Sequence, residues 1–397
     1  MLTRRRFIAD SMTAAGFLLA APLSGLGSSP APESSGRRRK VLVVVFQRGG
    51  ADGLSMVAPH GDPALSRNRP GIGIPKSGDT DWVIDLDGFF GLHPALSPLL
   101  PFWRDKRLAI VHAVGSHDPT RSHFEAQDYM ENGTPGTKRT PDGWLARALR
   151  QEGGNGLRSL ALTHNLPLAL RGDPTALAFP SLASLAGLGK LRGYETIYGP
   201  DERVFEIVER LRALGLSRLP IGDPGASPRS PFGQAMREMS QVIKADAGLR
   251  AGFIETAGWD THVNQGGSRG ILANRLKDLA EGLAAFARDL GQKLDDVIVL
   301  TMTEFGRTAR ENGNRGTDHG HGTAFFVLGG DVRGGKVYGR WPGLRPQDLY
   351  EGRDLAVTTD FRDVAAALLA GHLGIPNLQT VFPGHAPRHE IATQVLG

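Results

Sequence analysis

The stretch "VLVVVFQRGGADGLS", residues 41–55, decides the fold. Its first six residues are apolar and mostly β-branched, the pattern of a strand buried on both faces, and such strands sit in the middle of mostly parallel sheets. Four further runs repeat the pattern: "LAIVHAV" (108–114), "AGFIETA" (251–257), "VIVLTMT" (297–303) and "AFFVLGG" (324–330). Between the runs, apolar residues recur at helical spacing. Val204, Ile207, Val208 and Leu211 share one face of "VFEIVERLRALG" (204–215), and Leu272, Leu276, Leu279, Leu283 and Phe286 share one face of residues 271–294. "TTDFRDVAAALLAGHLG" (358–374) reads as a helix capped by Thr359 or Asp360 and stopped by Gly374. Strands alternating with helices predict an α/β fold, a doubly wound, mostly parallel central sheet with helices on both faces.

Ligands of such sheets bind beyond the carboxyl ends of the strands. Four of the runs lead at once into polar, glycine-containing stretches: "RGGADGLS", "GSHDPTRSHFEAQD", "GWDTHVNQGG" and "EFGRTARENGNRGTDHGHG". The fold therefore predicts that Asp52, His117, His123, Asp260, His262, Glu304 and His319 gather along one edge.

Composition narrows the chemistry. The 397 residues are 40% hydrophobic, enough for a sizeable core, and 53 Gly with 26 Pro imply many loops. The net charge of +5 resides entirely in residues 1–40, while the remainder carries 39 basic and 39 acidic residues. A neutral body gives no support for a nucleic-acid partner. The absence of cysteine excludes disulfides, thiolate zinc sites and cysteine nucleophiles, so any metal must be held by His, Asp, Glu and neutral oxygens.

Each motif admits two readings. Asp260 and His262 of "GWDTH" lie two apart in an extended segment, so both side chains point the same way, as two ligands of one metal would; otherwise the Asp caps a helix and the His bonds to it. Glu304 ends a buried strand and must be paired, hydrogen-bonded or metal-bound, with Arg307 as its structural partner. "GTDHGHGT" (316–323) supplies His319 and His321, imidazoles suited to Zn, Mn or Fe, with Asp318 as ligand or orienter, or else forms a polar turn. Ser122 is either a nucleophile at a helix start, beside Arg121 and His123, or an ordinary cap that forms a capping box with Glu125. Asp52 is a ligand or a turn residue.

The first 27 residues, "MLTRRRFIADSMTAAGFLLAAPLSGLG", resemble a twin-arginine export signal, with Thr3-Arg4-Arg5-Arg6-Phe7-Ile8 as its core. The resemblance implies delivery by the twin-arginine translocase to the periplasm or cell exterior. Its apolar run is too short and interrupted to span a bilayer permanently. Residues 28–40 read as a linker, and 41–397 as a single domain. The order of the leader, "RGGADGL", "HPAL", "SHDPTRSHFEAQD", "GWDTH", "TEFGRT", "ENG", "GTDHGHG" and "GGKVYGRWPGL" is similar to that of an uncharacterised twin-arginine-exported bacterial family, a numbered domain-of-unknown-function group, within the alkaline phosphatase/sulfatase superfamily. This implies a metal-dependent hydrolase of phosphate or sulfate esters acting on a small anionic substrate. Asp52, Asp260, His262, Glu304, Asp318, His319 and His321 would serve a divalent metal (Zn, Mn, Ca or Fe), with Ser122, His123 and Arg121 in catalysis. One departure stands out: the superfamily's phosphatases end a strand in Thr-Ala-Asp-His-Gly, where this chain has Thr303-Glu304-Phe305-Gly306, and Phe305 cannot bind a metal. A non-catalytic scaffold that keeps the fold with a degenerate site is the alternative.

Overall fold

Alternation along β1 (Val41–Arg48) sets the layers of the molecule. Val41, Val43 and Val45 face one apolar cluster, with Phe232, Met236 and Met239 of α3 (Pro231–Lys244) and Leu272, Leu276 and Leu279 of α4 (Ile271–Leu290). Leu42, Val44 and Phe46 face the other, with Met130 of α1 (His123–Asn132), Trp144 and Leu145 of α2 (Trp144–Leu149), and Phe361 and Val364 of α5 (Phe361–Leu368). Side chains of successive strand residues point to opposite faces, so an unbroken apolar strand needs a helical layer on each side. The computed structural model describes residues 39–75, 81–137, 140–153, 157–182, 184, 229–388 and 394–396. The expected signal (1–27), the linker up to residue 38 and the helix over 204–215 lie outside the described residues.

β1 pairs in parallel with β8 (Ala251–Ala257) and β9 (Val297–Met302). Beyond β8 come β6 (Ser159–Leu162) and β7 (Leu177–Ala178); beyond β9 come β10 (Thr323–Gly329), β5 (Leu108–Gly115) and β11 (Lys336–Tyr338), with β12 (Thr359–Asp360) also on β5. A small antiparallel sheet joins β2 (Val57–Ala58), β4 (Gly91–Leu92) and β3 (Ile84–Asp85). All five strands read from the sequence are present, and the sheet is mostly parallel with helices on both faces. β10 alone reverses: it runs antiparallel to both β9 and β5. The reversal makes the connection between β9 and β10 leave and re-enter the sheet at one edge, the edge where the parallel strands end. Asp360 caps α5 by accepting from the Arg362 N–H at 2.9 Å, and the segment that continues α5 ends on Gly374 at φ +77°, a left-handed conformation that glycine adopts without strain. No helix among the described residues is long and apolar enough to cross a membrane.

His112 on β5 has a fixed protonation state. Its Nε2–H donates to the Val57 carbonyl (2.9 Å) while Nδ1 accepts from the Ala113 N–H (2.8 Å), so the ring is neutral, and burial pushes its pKa down to about 4. The unfolded chain binds a proton at about 6.5, so folding is fully favoured above that pH and loses stability as pH falls toward 4, by up to about 1.4 kcal/mol per pH unit for this group. Urea unfolding measured across that window should show a shallower pH slope for His112→Gln than for the unaltered protein.

Candidate metal centre

Three connections meet above the carboxyl ends of β1, β8 and β9, and glycines let them touch. Gly49 has φ +121°, and a Cβ there would stand 2.6 Å from the Asp260 nitrogen. A Cβ at Gly316 would stand 2.3 Å from the His262 carbonyl. "GWDTH" is thus held between "RGG" and "GTDHGHGT" by backbone contact that only glycine permits. Residues 306–308 and 318–321 form a short antiparallel ribbon, with the Thr308 N–H on the Asp318 carbonyl (3.0 Å) and Arg307 directly opposite His319. Opposed residues in such a ribbon project on one side, and both of these side chains reach Asp260.

Arg307 is fully buried. Its guanidinium donates to the carbonyls of Gly50 (2.7 Å), Gly49, Trp259 (3.1 Å) and Thr317 (3.1 Å), and to Asp260 Oδ1 (2.5 Å). One side chain therefore ties together all three connections.

Around Asp260 stand three imidazoles whose Nδ1 atoms each face an oxygen. His123 Nδ1 lies 2.7 Å from Glu304 Oε1, His319 Nδ1 2.8 Å from the Arg121 carbonyl, and His262 Nδ1 3.1 Å from Asp318 Oδ1. Carbonyl and carboxylate oxygens only accept, so all three Nδ1 atoms carry the proton. The Nε2 atoms turn inward. His262 Nε2 lies 3.0 Å from His319 Nε2 and 2.9 Å from Asp260 Oδ1; His319 Nε2 lies 3.3 Å from the same oxygen. His123 Nε2 is shielded from solvent, lacks a hydrogen-bond partner, and lies 3.6 Å from Asp260 Oδ2. One ligand atom each from His123, Asp260 and His319 fits within 4.8 Å of the others. Two imidazole lone pairs at 3.0 Å repel unless a proton or a cation lies between them. His123, His319 and the Asp260 carboxylate form a donor set that fits a divalent cation, with His262 Nε2 beside it, and the protonated Nδ1 atoms are pinned from behind as metal-binding histidines usually are.

The electrostatics are uneven. The Glu304 hydrogen bond, aided by the nearby carboxylates, raises His123 above the usual imidazole range against its partial burial. Burial lowers His319, and the positive charges of His123 and Arg307 add to this. Burial opposes ionisation of Asp260 and Glu304, yet both titrate low, Asp260 through Arg307 and Glu304 through His123, Gln127 and the Gly49 N–H. The Asn312 amide, at 3.0 Å, lowers Asp318.

The structure rearranges the roles expected from sequence. Asp260, His262 and His319 come together, and His123, expected beside a nucleophile, joins them. Glu304 faces His123, the Gln127 amide (2.9 Å) and the Gly49 N–H (2.8 Å); it orients an imidazole, and Arg307 pairs with Asp260 instead. Asp318 likewise orients His262. Asp52 is no ligand: fully buried, it forms a two-pronged pair with Arg69 (2.6 and 2.9 Å) and accepts from the Gln265 amide (2.7 Å). The Arg121 guanidinium is held by Asp354 (2.7 Å) and Glu351 (2.7 Å), leaving its carbonyl as the group that matters to the site. His321 stacks on Tyr350 at 4.3 Å and is not among the residues that converge on Asp260; burial, with the charges of His117 and Arg121 nearby, lowers its pKa to about 4, and no described residue hydrogen-bonds its ring. Ser122 is the residue before α1, but its hydroxyl makes no cap bond, and Glu125 accepts from Thr120 rather than closing a capping box. Phe305 packs against His123 and His319, 4.9 Å from each ring. Sequence reasoning missed Gln127, Arg69, Gln265 and Asn312. Gln127 alone left a signal, four residues after His123 on the same helical face.

Residues 223–381 match the family described as "Protein of unknown function (DUF1501)". No curated protein matches the chain in sequence. Solved structures similar to it include PsFucS1 sulfatase from Pseudoalteromonas sp., at 12% identity over 90% of this chain and 72% of that one, with a TM-score of 0.43. Phosphonate monoester hydrolase from Silicibacter pomeroyi is similar at 11% identity over 90% of this chain and 77% of that one, TM-score 0.44. A protein in the alkaline phosphatase superfamily from Vibrio parahaemolyticus is similar at 13% identity over 76% of this chain and 62% of that one, TM-score 0.36.

Replacing Arg307 by Met strands four carbonyls and a partly buried carboxylate. The Arg307→Met protein should lose about 3–5 kcal/mol of stability, read as a lower denaturant midpoint.

Proposed function

We propose that the protein is an exported, metal-dependent hydrolase of phosphate or sulfate esters, delivered by the twin-arginine translocase to the periplasm or cell exterior and acting as a single domain over residues 41–397. One observation carries the reading: three imidazoles with protonated, pinned Nδ1 atoms turn their Nε2 atoms on one carboxylate. His123, His262, His319 and Asp260 would hold the cation, and a set rich in imidazole suits Zn or Fe better than Ca. A bound divalent cation supplies charge to polarise an ester oxygen and to acidify water.

The chain's own groups do the rest. Glu304, Asp318 and the Arg121 carbonyl fix the three rings, so the donors are aligned before any ligand arrives. Arg307 keeps Asp260 ionised and facing the rings. Ser122 stands at the amino end of α1, one residue before His123, with a hydroxyl free of a capping role. It is the side chain proposed to attack the phosphorus or sulfur of the ester; the bond to the alcohol oxygen breaks, the alcohol leaves carrying the proton lost by the hydroxyl, and the helix amino terminus favours the bound anion. Phe305 excludes water from the ring faces of His123 and His319.

A second reading, a non-catalytic exported scaffold or binding protein, is favoured by the donor number. Three imidazoles and a carboxylate already make four, which would close a tetrahedral site and leave no open position. The two readings divide on one experiment. The purified protein should carry about one equivalent of metal, and His262→Ala and His319→Ala should both lose it, with a lower thermal midpoint that added metal no longer raises. Hydrolysis of 4-nitrophenyl phosphate or sulfate by the loaded protein selects the enzyme; bound metal without hydrolysis selects the scaffold. A protein that neither carries nor binds metal refutes the enzyme and leaves the scaffold with a degenerate site.

A further inference from the structure

His123, Gln127 and Glu131 recur every four residues along α1 and so share one face of the helix. Partners from other elements hold all three. His123 Nδ1 meets Glu304 Oε1 at 2.7 Å, and the Gln127 amide donates to the same oxygen at 2.9 Å. Behind Gln127 stands Arg48, the last residue of β1, whose guanidinium donates to the Gln127 carbonyl oxygen at 3.0 Å. Arg48 is held in turn by Glu131 at 2.9 Å and by Glu255 of β8 at 2.6 Å. Glu131 also accepts from the Ala169 N–H at 3.0 Å. The contacts therefore run unbroken from two carboxylates through Arg48, Gln127 and Glu304 to the His123 ring. Each link has one polarity. A guanidinium only donates and an ionised carboxylate only accepts, so the carboxamide between them can present only its oxygen to Arg48 and its NH2 to Glu304.

We propose that Gln127 and Arg48 are positioning residues for His123: Gln127 holds the Glu304 oxygen behind the ring, and Arg48 holds Gln127. The inference rests on the metal-centre reading above and adds to it how the helical ligand is placed. His123 needs such a device, whereas His262 and His319 do not. Arg307 gathers the connections that carry those two residues, and its five acceptors all lie outside α1. Glu304 Oε1 is tethered to the end of β1 by the Gly49 N–H at 2.8 Å and to the helix by Gln127. With both tethers the oxygen stays behind Nδ1, and Nε2 stays turned toward Asp260. Groups that orient a ligand in this way without touching the metal typically change its affinity by about 10–100-fold.

The test uses the full chain with two readouts. In chelator-treated protein labelled with 15N at histidine, NMR follows exchange of the His123 Nδ1–H with water, the signal being assigned by its absence in His123→Gln. Competition with a chromophoric chelator then gives the affinity for Zn2+. The unaltered protein should protect this proton. Gln127→Met and Gln127→Glu should each lose the protection and bind Zn2+ about tenfold or more weakly. Gln127→Glu keeps the length of the side chain and the bond from Arg48 and removes only the donation to Glu304, so a residue that merely packs α1 would tolerate it. Arg48→Met should move both readouts in the same direction. Met130→Ala loosens the buried side of α1 outside the chain of contacts; it should lower the denaturant midpoint and move neither readout. Unchanged readouts in both Gln127 variants overturn the inference, as does an equal effect of Met130→Ala. Loss of protection without loss of affinity, in a protein that binds Zn2+, overturns it as well. An Arg48→Met protein with unaltered readouts overturns the part given to Arg48. If the unaltered protein binds no Zn2+ while the Gln127 variants lose protection, the metal-centre reading fails and the positioning of the ring stands.

Discussion

A buried guanidinium needs acceptors, and Arg307 finds five of them on the three connections that build the centre. Its partners are the carbonyls of Gly49, Gly50, Trp259 and Thr317 and one oxygen of Asp260. None of these carbonyls belongs to a strand ladder. Without the guanidinium each would be buried and unpaired, at about 1–3 kcal/mol apiece. The requirement runs both ways, because the charge is tolerable only where the loops converge. A buried ion pair adds little net stability over an apolar substitute, so what Arg307 contributes is the position of the loops. Gly49, Gly316 and the ribbon opposite His319 follow from that position, since backbones drawn to one guanidinium approach too closely for a Cβ.

The layer architecture was legible in the sequence because it depends on local pattern. Unbroken apolar runs such as residues 41–46 require helices on both faces, and the structure supplies them. The reversal of β10 was not legible. "AFFVLGG" is as apolar as the parallel strands, and burial on both faces hides direction. Yet the reversal brings His319 to the right edge, because the ribbon over 306–321 folds back on the strand ends instead of crossing the sheet. Residue type told which side chains would gather there and not what they would face. Glu304, Asp52 and Asp260 are all carboxylates after strands. Glu304 meets His123, Asp52 meets Arg69 and Asp260 meets the imidazoles, and the difference lies in partners distant in sequence. Arg69 lies 17 residues from Asp52, and Gln265 is 213 away.

Phe305 illustrates the same point from the opposite side. Read from the sequence, where the motif that it resembles has a histidine, it argues against a metal site. In the fold, its ring lies against His123 and His319, and those rings, with His262, come from other segments. Imidazoles absent from the strand end reach the same place from α1 and from the ribbon. A metal centre is a count of donors at one point in space, and a sequence motif lists only those that happen to be adjacent in the chain.

Asp260 is where structure and chemistry compete. Its Oδ1 already serves Arg307 at 2.5 Å and faces two imidazole nitrogens, while Oδ2 faces His123. A carboxylate that gives one oxygen to a guanidinium is a weaker donor through that oxygen, because its charge is shared. The oxygen that remains for a cation is Oδ2, on the side of His123, whose Nε2, alone of the three, makes no hydrogen bond. His123 is also the imidazole whose affinity for a proton is raised, by Glu304 behind it. The same interaction that makes a ring basic toward protons makes it a better donor to a cation. The electronics and the geometry therefore point to the same corner of the site: His123 and Asp260 Oδ2 on one side, His262 and His319 closing from the other. Ser122, the proposed nucleophile, directly precedes His123 at the amino end of α1.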